Sequence, residues 1–290
     1  MTPRLVVRKT YKLFIGGSFV RSESGRYDRI EGGPTATEAA ATEASAAASS
    51  AVNVPRGSRK DVRDAVAAGR KAAAGWSART AYNRGQILYR FAEALESRRA
   101  DIGAPADEVG EAIDVLVHYA GWTDKFQPVL GGINPVAAPF LSFSVPEPTG
   151  VVGLVAPDEP PLLGLVAELA PAMAAGNTVV AVLSDERPLP GLDLGEVLGI
   201  ADVPGGVVNL LSGRRTELAP VLAGHHALNA IVDASADDTL AAEIDKLAAE
   251  SVTRVRHAPP TASYAAATAD PLSRLEAVTE LKNAWHPVGA

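Results

Sequence analysis

Three nearly continuous apolar runs in the second half of the chain constrain its fold more than any other feature. They are Val151 to Val155, Thr178 to Leu183 and Gly206 to Leu211, with a weaker fourth at Ala230 to Val232. A strand with one wet face alternates polar and apolar residues. Continuous runs of this length instead fit strands covered on both faces. Helical patterns separate them: Leu162 to Ala175, Leu189 to Ile200 and Glu217 to Ala223. That alternation predicts an α/β fold, a Rossmann-like parallel sheet with helices on both faces and right-handed crossovers.

The first half has a helical period. Ser58 and Asp61 form a capping-box start for a helix that buries Val62 and Val66 and runs toward Ala74. A second helix from about Asn83 puts Ile87, Leu88, Phe91 and Leu95 on one face. A third, roughly Asp107 to Trp122, aligns Val109, Ile113, Leu116 and Ala120. Before these, Tyr11 to Val20 reads as a short hairpin closed by Gly16-Gly17. Residues 32–51 are mostly Ala, Thr, Ser, Glu and Gly, and a mobile loop is expected there. Phe140 to Val145 reads as extended between Pro139 and Pro146. Residues 258–274 read as a Pro, Ala and Thr linker, and Leu275 to Trp285 fits a helix or a strand.

Composition excludes several chemistries. The 290 residues include no cysteine, so the chain has no disulfide, no thiolate metal site and no cysteine nucleophile. The net charge is −7, and the 27 Lys and Arg are scattered. Nucleic acid and anionic membrane surfaces are therefore not expected partners. No run approaches the roughly 20 apolar residues of a membrane-spanning helix. A cytoplasmic location is the expectation.

Spacing alone yields no active site. No Gly-x-Gly-x-x-Gly follows the first apolar run, and no Gly-x-Ser-x-Gly elbow is present. The turn Ala156-Pro157-Asp158-Glu159-Pro160-Pro161 leads into a helix N-terminus, where Asp158 and Glu159 are expected to act as caps. His225 and His226 are adjacent and point apart, so they do not share a metal. His118, His257 and His286 have no ligand partner at sequence spacing, and all five histidines are assigned to surface or packing. Asp237-Asp238 reads as a solvated helix start.

The sequence nonetheless resembles the NAD(P)-dependent aldehyde dehydrogenases over almost its whole length. The residues that carry the likeness start at Lys12 to Val20, then Arg59-Lys60-Asp61-Val62 through Gly75-Trp76-Ser77, then Glu147-Pro148-Thr149-Gly150-Val151-Val152-Gly153. The most specific are Ala170-Pro171-Ala172-Met173-Ala174-Ala175-Gly176-Asn177-Thr178-Val179-Val180 and Val203-Pro204-Gly205-Gly206-Val207-Val208-Asn209. Within the family the chain most resembles the truncated, non-catalytic type of domain in the sixteenth class. The resemblance implies a nucleotide-binding domain over 1–257 without the catalytic domain, whose place the 258–274 linker takes. It also implies an oligomerisation-type strand at 139–146 and a matching C-terminal tail at 275–290, since Glu280 to Pro287 resembles the family's own tail.

The family's chemistry needs a cysteine thiolate, a hydride acceptor and a glutamate-activated water. Where the family has Leu-Glu-Leu-Gly-Gly, this chain reads Arg256-His257-Ala258-Pro259. The positions matching the family's cofactor site are Val155, Pro157, Val182, Ser184, Asp185, Gly213 and Ser235. The resemblance puts Glu159 at the oxyanion Asn, Val182 at the ribose-binding Lys, and Asp185 at the neighbouring acid. Around Ser235, Asp233 stands where the family places a phosphate turn, and bulky Arg214 and Arg215 follow Gly213. An ionised glutamate accepts hydrogen bonds but donates none, and would repel an oxyanion. No resident cofactor is expected, and any NAD(P) binding is expected to be weak.

The leading expectation is a pseudoenzyme subunit. It would pair with a full-length aldehyde dehydrogenase, or with itself, through Phe140 to Val145 and Leu275 to Trp285. Two alternatives stay open: a nucleotide or small-ligand binding module using Asp185 and the Gly213 loop, and an enzyme with cysteine-free chemistry around Asp158, Glu159 and Asp233.

Overall fold

A computed structural model describes residues 9–30, 51–259 and 261–288. The expected loop over 32–51 lies, apart from Ala51, outside the described residues. The chain enters through a hairpin, β1 (Leu13–Ile15) and β2 (Ser18–Val20), turned at Gly16-Gly17 as expected. Gly17 has a φ of +82°, and a Cβ there would sit 2.7 Å from the Cα of Gly205. Only glycine suits both the left-handed backbone and that close approach. Buried Asn209 secures the hairpin, accepting from the Gly16 N–H at 2.9 Å and donating to the Gly206 carbonyl at 2.9 Å. A two-stranded ribbon follows, β3 (Tyr27–Ile30) with β4 (Val52–Pro55).

Helix α1 (Arg59–Ser77) starts at the expected capping box. The Ser58 hydroxyl accepts from the Asp61 N–H at 3.3 Å, and Asp61 accepts from the Ser58 N–H at 2.8 Å. The helix runs through Gly75 and ends beyond the expected Ala74. Helices α2 (Ala81–Ser97), α3 (Ala106–Ala120) and α4 (Phe126–Leu130) follow. On α3 the buried face carries Val109, Ala112, Val115, Leu116 and Tyr119, rotated slightly from the expected stripe. Strands β5 (Gly132–Asn134) and β6 (Phe140–Pro148) lead to the main sheet.

That sheet holds the expected strands: β7 (Val151–Val155), β8 (Thr178–Val182), β9 (Val208–Leu211) and β10 (Ala230–Asp233). Every residue of these four strands is buried. Between them run α5 (Pro161–Ala175), α6 (Leu189–Ile200) and α7 (Arg215–Ala223). The structure adds α8 (Asp238–Ser251), capped by Asp237, and the parallel edge strand β11 (Arg254–His257). The order is β11-β10-β7-β8-β9-β1-β2, in which β11 to β9 are parallel and the hairpin joins antiparallel at Phe14↔Leu210. Two apolar layers cover the sheet. One gathers α1, α7 and α8 around Val62, Leu218 and Ile244. The other gathers α2, α3, α5 and α6 around Phe91, Leu116, Leu165 and Leu194.

Residues 258–274, expected to be a linker, hold α9 (Tyr264–Thr268) and most of α10 (Pro271–Glu276). Then β12 (Thr279–Pro287) pairs antiparallel with the whole of β6, from Thr279↔Pro148 to Pro287↔Phe140. The helix-or-strand ambiguity of Leu275 to Trp285 resolves as a helix end followed by a strand. The result is a three-stranded arm, β12-β6-β5. Asn177 fastens its root, donating to the Val278 carbonyl at 2.9 Å and accepting from the Gly150 N–H at 2.8 Å.

One acid holds the 258–276 segment to the core. Glu168 is the only charged residue of α5 and is 4% exposed. It accepts from Arg256 of β11 at 2.6 Å and from Arg274 of α10 at 3.0 Å. Arg274 is itself 6% exposed, and it also donates to the Ala267 carbonyl at 2.7 Å. A buried charge stripped of a partner is costly. Arg274→Ala is therefore expected to lower stability by about 3 kcal/mol in urea unfolding. A loss below about 0.5 kcal/mol would place the pair in the weak, solvated class instead.

Candidate functional site

In the sheet, β8 and β9 continue on one side of β7, and β10 and β11 on the other. The strand order thus reverses between β7 and β10. Open α/β sheets bind ligands at such a switch point, in the crevice outside the carboxyl ends of the strands. Loops after β7, β8, β9 and β10 border that crevice. They carry Pro157, Asp158 and Glu159, then Ser184 and Asp185, then Gly213 to Arg215, then Ser235.

Arg215 joins three of these loops. Its guanidinium donates to the Ala156 carbonyl at 3.2 Å and pairs with the Asp158 carboxylate. Its Nε lies 3.4 Å from Asp185 Oδ1. Its main-chain N–H reaches both oxygens of Asp185, at 2.9 and 3.1 Å. The other Asp158 oxygen accepts from the Ser184 hydroxyl at 2.6 Å, and that hydroxyl accepts from the Arg187 N–H at 2.9 Å. The Arg215 side chain is only 12% exposed. Burial pushes the Asp185 carboxyl above its ordinary value, and the Arg215 contacts oppose that rise.

The remaining expected positions are also engaged by the chain itself. Val155 and Val182 lie side by side in register and belong to the apolar layer under α1 and α7. Pro157 packs on α5, where a Cβ at Gly164 would meet its ring at 2.3 Å. Gly213, at φ +139°, lies against the backbone of Gly57, where an added Cβ would be 2.8 Å from the Gly57 nitrogen. The Ser235 N–H donates to Asp233 at 3.0 Å. Asp158, Glu159 and Asp233 face three different partners, namely Arg215, Arg187 and His257.

Two expectations need correction. Asp158 and Glu159 do not cap α5. Asp158 turns to Arg215, and Glu159 forms an exposed pair with Arg187 at 2.8 Å. The cap comes from α3: Glu108 Oε1 accepts from the Leu162 N–H at 2.7 Å and the Leu163 N–H at 3.0 Å. Burial raises the Glu108 carboxyl while these N–H bonds lower it. A glutamate far away in sequence fills the helix N-terminus, so local cap spacing could not reveal it. The second correction concerns His257, which is not without partners. Its Nδ1 lies 3.2 Å from Asp233 Oδ2 and its Nε2 lies 2.9 Å from Asp245 Oδ1. Strand pairing brings Asp233 opposite His257, and α8 brings Asp245. Among the described residues, no group of three or more His, Asp or Glu is placed to hold a metal ion.

The partial burial of His257 alone would lower its pKa, but its contacts with Asp245 and Asp233 outweigh that and raise it above 6.5. A raised folded pKa stabilises the protein fully below the unfolded value, and that contribution is lost as pH rises through the folded value. A proton NMR titration should show a His257 midpoint above 6.5. In His257→Gln, the stability loss on raising pH through that window should flatten. A midpoint at or below 6.5 contradicts the reading.

Comparison with known proteins identifies the fold. Residues 34–258 match the aldehyde dehydrogenase family. Omega-crystallin of Enteroctopus dofleini is 31% identical over 77% of this chain and 45% of its own length. Retinal dehydrogenase 2 of Mus musculus is 29% identical over 87% of this chain and 48% of its own. Among solved structures, the NAD+ complex of the Bacillus cereus aldehyde dehydrogenase superposes with a TM-score of 0.74 at 26% identity, covering 86% of this chain and 50% of that one. The chain spans about half the length of the relatives it matches. The parallel sheet with its covering helices corresponds to the family's nucleotide-binding domain, and the chain belongs to the aldehyde dehydrogenase family.

Proposed function

We propose that this chain is a non-catalytic aldehyde dehydrogenase-like subunit that assembles with a full-length member of the family. One contrast carries the reading. The chain has no cysteine to form the covalent adduct with an aldehyde, yet it keeps a complete β6–β12 pairing beyond the nucleotide-binding sheet. The connection between β11 and β12 is filled by α9 and α10. Such an arm serves no chemistry in this chain. It does carry apolar side chains in water: Ile133 is 76% exposed, Leu281 54% and Trp285 60%. Phe140 stacks edge-on against Trp285 at 6.0 Å. Clustered exposed apolar residues on a sheet mark an interaction surface, and an uncovered edge strand seeks a partner.

A nucleotide-binding module is the second reading. It is supported by the likeness to proteins solved with NAD+ and by the retained switch point. The residues at that point do not fit NAD(P) as they stand, because Asp158, Ser184 and Asp185 are bonded within the chain. No resident cofactor is part of the proposal.

The test is co-expression of the tagged chain with a full-length aldehyde dehydrogenase from the same source. A defined mixed oligomer is expected, and the chain alone should show no NAD(P)-dependent aldehyde oxidation. Leu281→Asp with Trp285→Asp should cut co-purification at least tenfold while leaving the unfolding midpoint unchanged, since both side chains stand in solvent. Aldehyde turnover by the isolated chain, or assembly indifferent to the double substitution, contradicts the proposal.

A further inference from the structure

We propose that Arg215 is a built-in occupant of the switch-point crevice, and that it closes a site which otherwise takes an adenine nucleoside or nucleotide. This rests on reading the crevice as the family's nucleotide site, and it stands apart from the question of assembly.

The argument starts from Asp185. An acid at the end of the second parallel strand is placed to accept from ribose hydroxyls in folds of this type. Here β7 is the first strand and β8 the second, and Asp185 follows β8. Both its oxygens already accept from the Arg215 N–H, and the Arg215 Nε stands 3.4 Å away. A ribose could use that carboxylate only by displacing Arg215. The guanidinium extends from the start of α7 across to Asp158 and the Ala156 carbonyl after β7. Its span crosses the carboxyl ends of β9, β8 and β7, the ground a nucleoside would cover. Its 12% exposure shows that it lies in the crevice rather than over it.

The plug is also matched in charge. A planar guanidinium meets two carboxylates and a carbonyl with fixed, divergent N–H donors, a pattern that a lysine cannot reproduce. Asp158 gives one oxygen to Arg215 and the other to Ser184, so its two acceptors are spoken for. Removing the arginine alone would leave Asp158 and Asp185 facing an incoming phosphate. The informative variant therefore removes the cation and one acid together. It keeps Asp185 free for the ribose and retains the rest of the crevice wall.

Calorimetric titration with AMP and with NAD+ tests this on the full chain. The wild-type protein should show no saturable binding at millimolar ligand. Arg215→Ala with Asp158→Asn should bind AMP at least tenfold more tightly than wild type, with circular dichroism confirming the fold. Adding Asp185→Ala should abolish that gain. If the double variant does not fold, Arg215→Lys keeps the charge without the fork, and a gain of about threefold or more is expected. Wild-type binding as tight as that of the folded variant overturns the proposal. So does a folded variant, double or Lys, that binds no better than wild type. Neither result bears on assembly through the β6–β12 arm, and a failed co-purification leaves the Arg215 plug untouched.

Discussion

A single guanidinium ties together the carboxyl ends of three consecutive parallel strands, and the character of the crevice depends on it. Arg215 stands at the start of α7 and binds Asp158 after β7 and Asp185 after β8. Open α/β sheets leave these strand ends as a ligand crevice because the loops there diverge at the switch point. In this chain the divergence is bridged from within. The polar groups that a ligand would meet have found partners in one another. Closing a cleft in this way relieves buried acids of unpaired charge, which is expensive to maintain away from water.

A second ionic centre acts on the other side of α5. Glu168 pins β11 and α10 through Arg256 and Arg274, so the segment between the sheet and the arm is docked. Docking fixes where β12 begins, and Asn177 fastens the same point through the Val278 carbonyl. The arm thus projects from an anchored root with its apolar side chains in solvent. Chemistry and assembly are separated in this molecule. The crevice is bonded shut, while the arm stays open along its outer face.

Much of the fold was legible in the sequence. Strands β7 to β10 read correctly because burial on both faces demands unbroken apolar runs, which no helix spacing imitates over so short a length. The Ser58 and Asp61 box marked the start of α1, and Gly16-Gly17 marked the hairpin, because each is a local device. Strand β11 escaped notice for a physical reason. As an edge strand carrying Arg254, Arg256 and His257, it is polar, and its pairing with β10 is settled by distant residues. Helix α8 escaped because only Leu240, Ile244 and Ala248 of it are buried, a stripe too narrow to stand out. The site was legible by position only. The likeness to the family located Asp185, Ser184 and Gly213, but not what occupies them. Glu108 capping α5, Asp245 beside His257 and Arg215 across Asp158 are all contacts between residues far apart in sequence. The one signal available for Glu168 was its isolation as an acid in an otherwise apolar helix. A lone buried acid calls for a buried cation.

The account turns on whether the crevice is filled by the chain's own arginine in solution. Nitrogen-15 NMR of the arginine side chains reads this directly on the wild-type protein. The Arg215 Nε–H should give a resolved, slowly exchanging signal that millimolar NAD+ leaves in place, because its partners are internal and largely shielded. A signal that exchanges freely with water, or that shifts and saturates as NAD+ is added, would mean that the crevice is open to ligand and the account of the site is wrong.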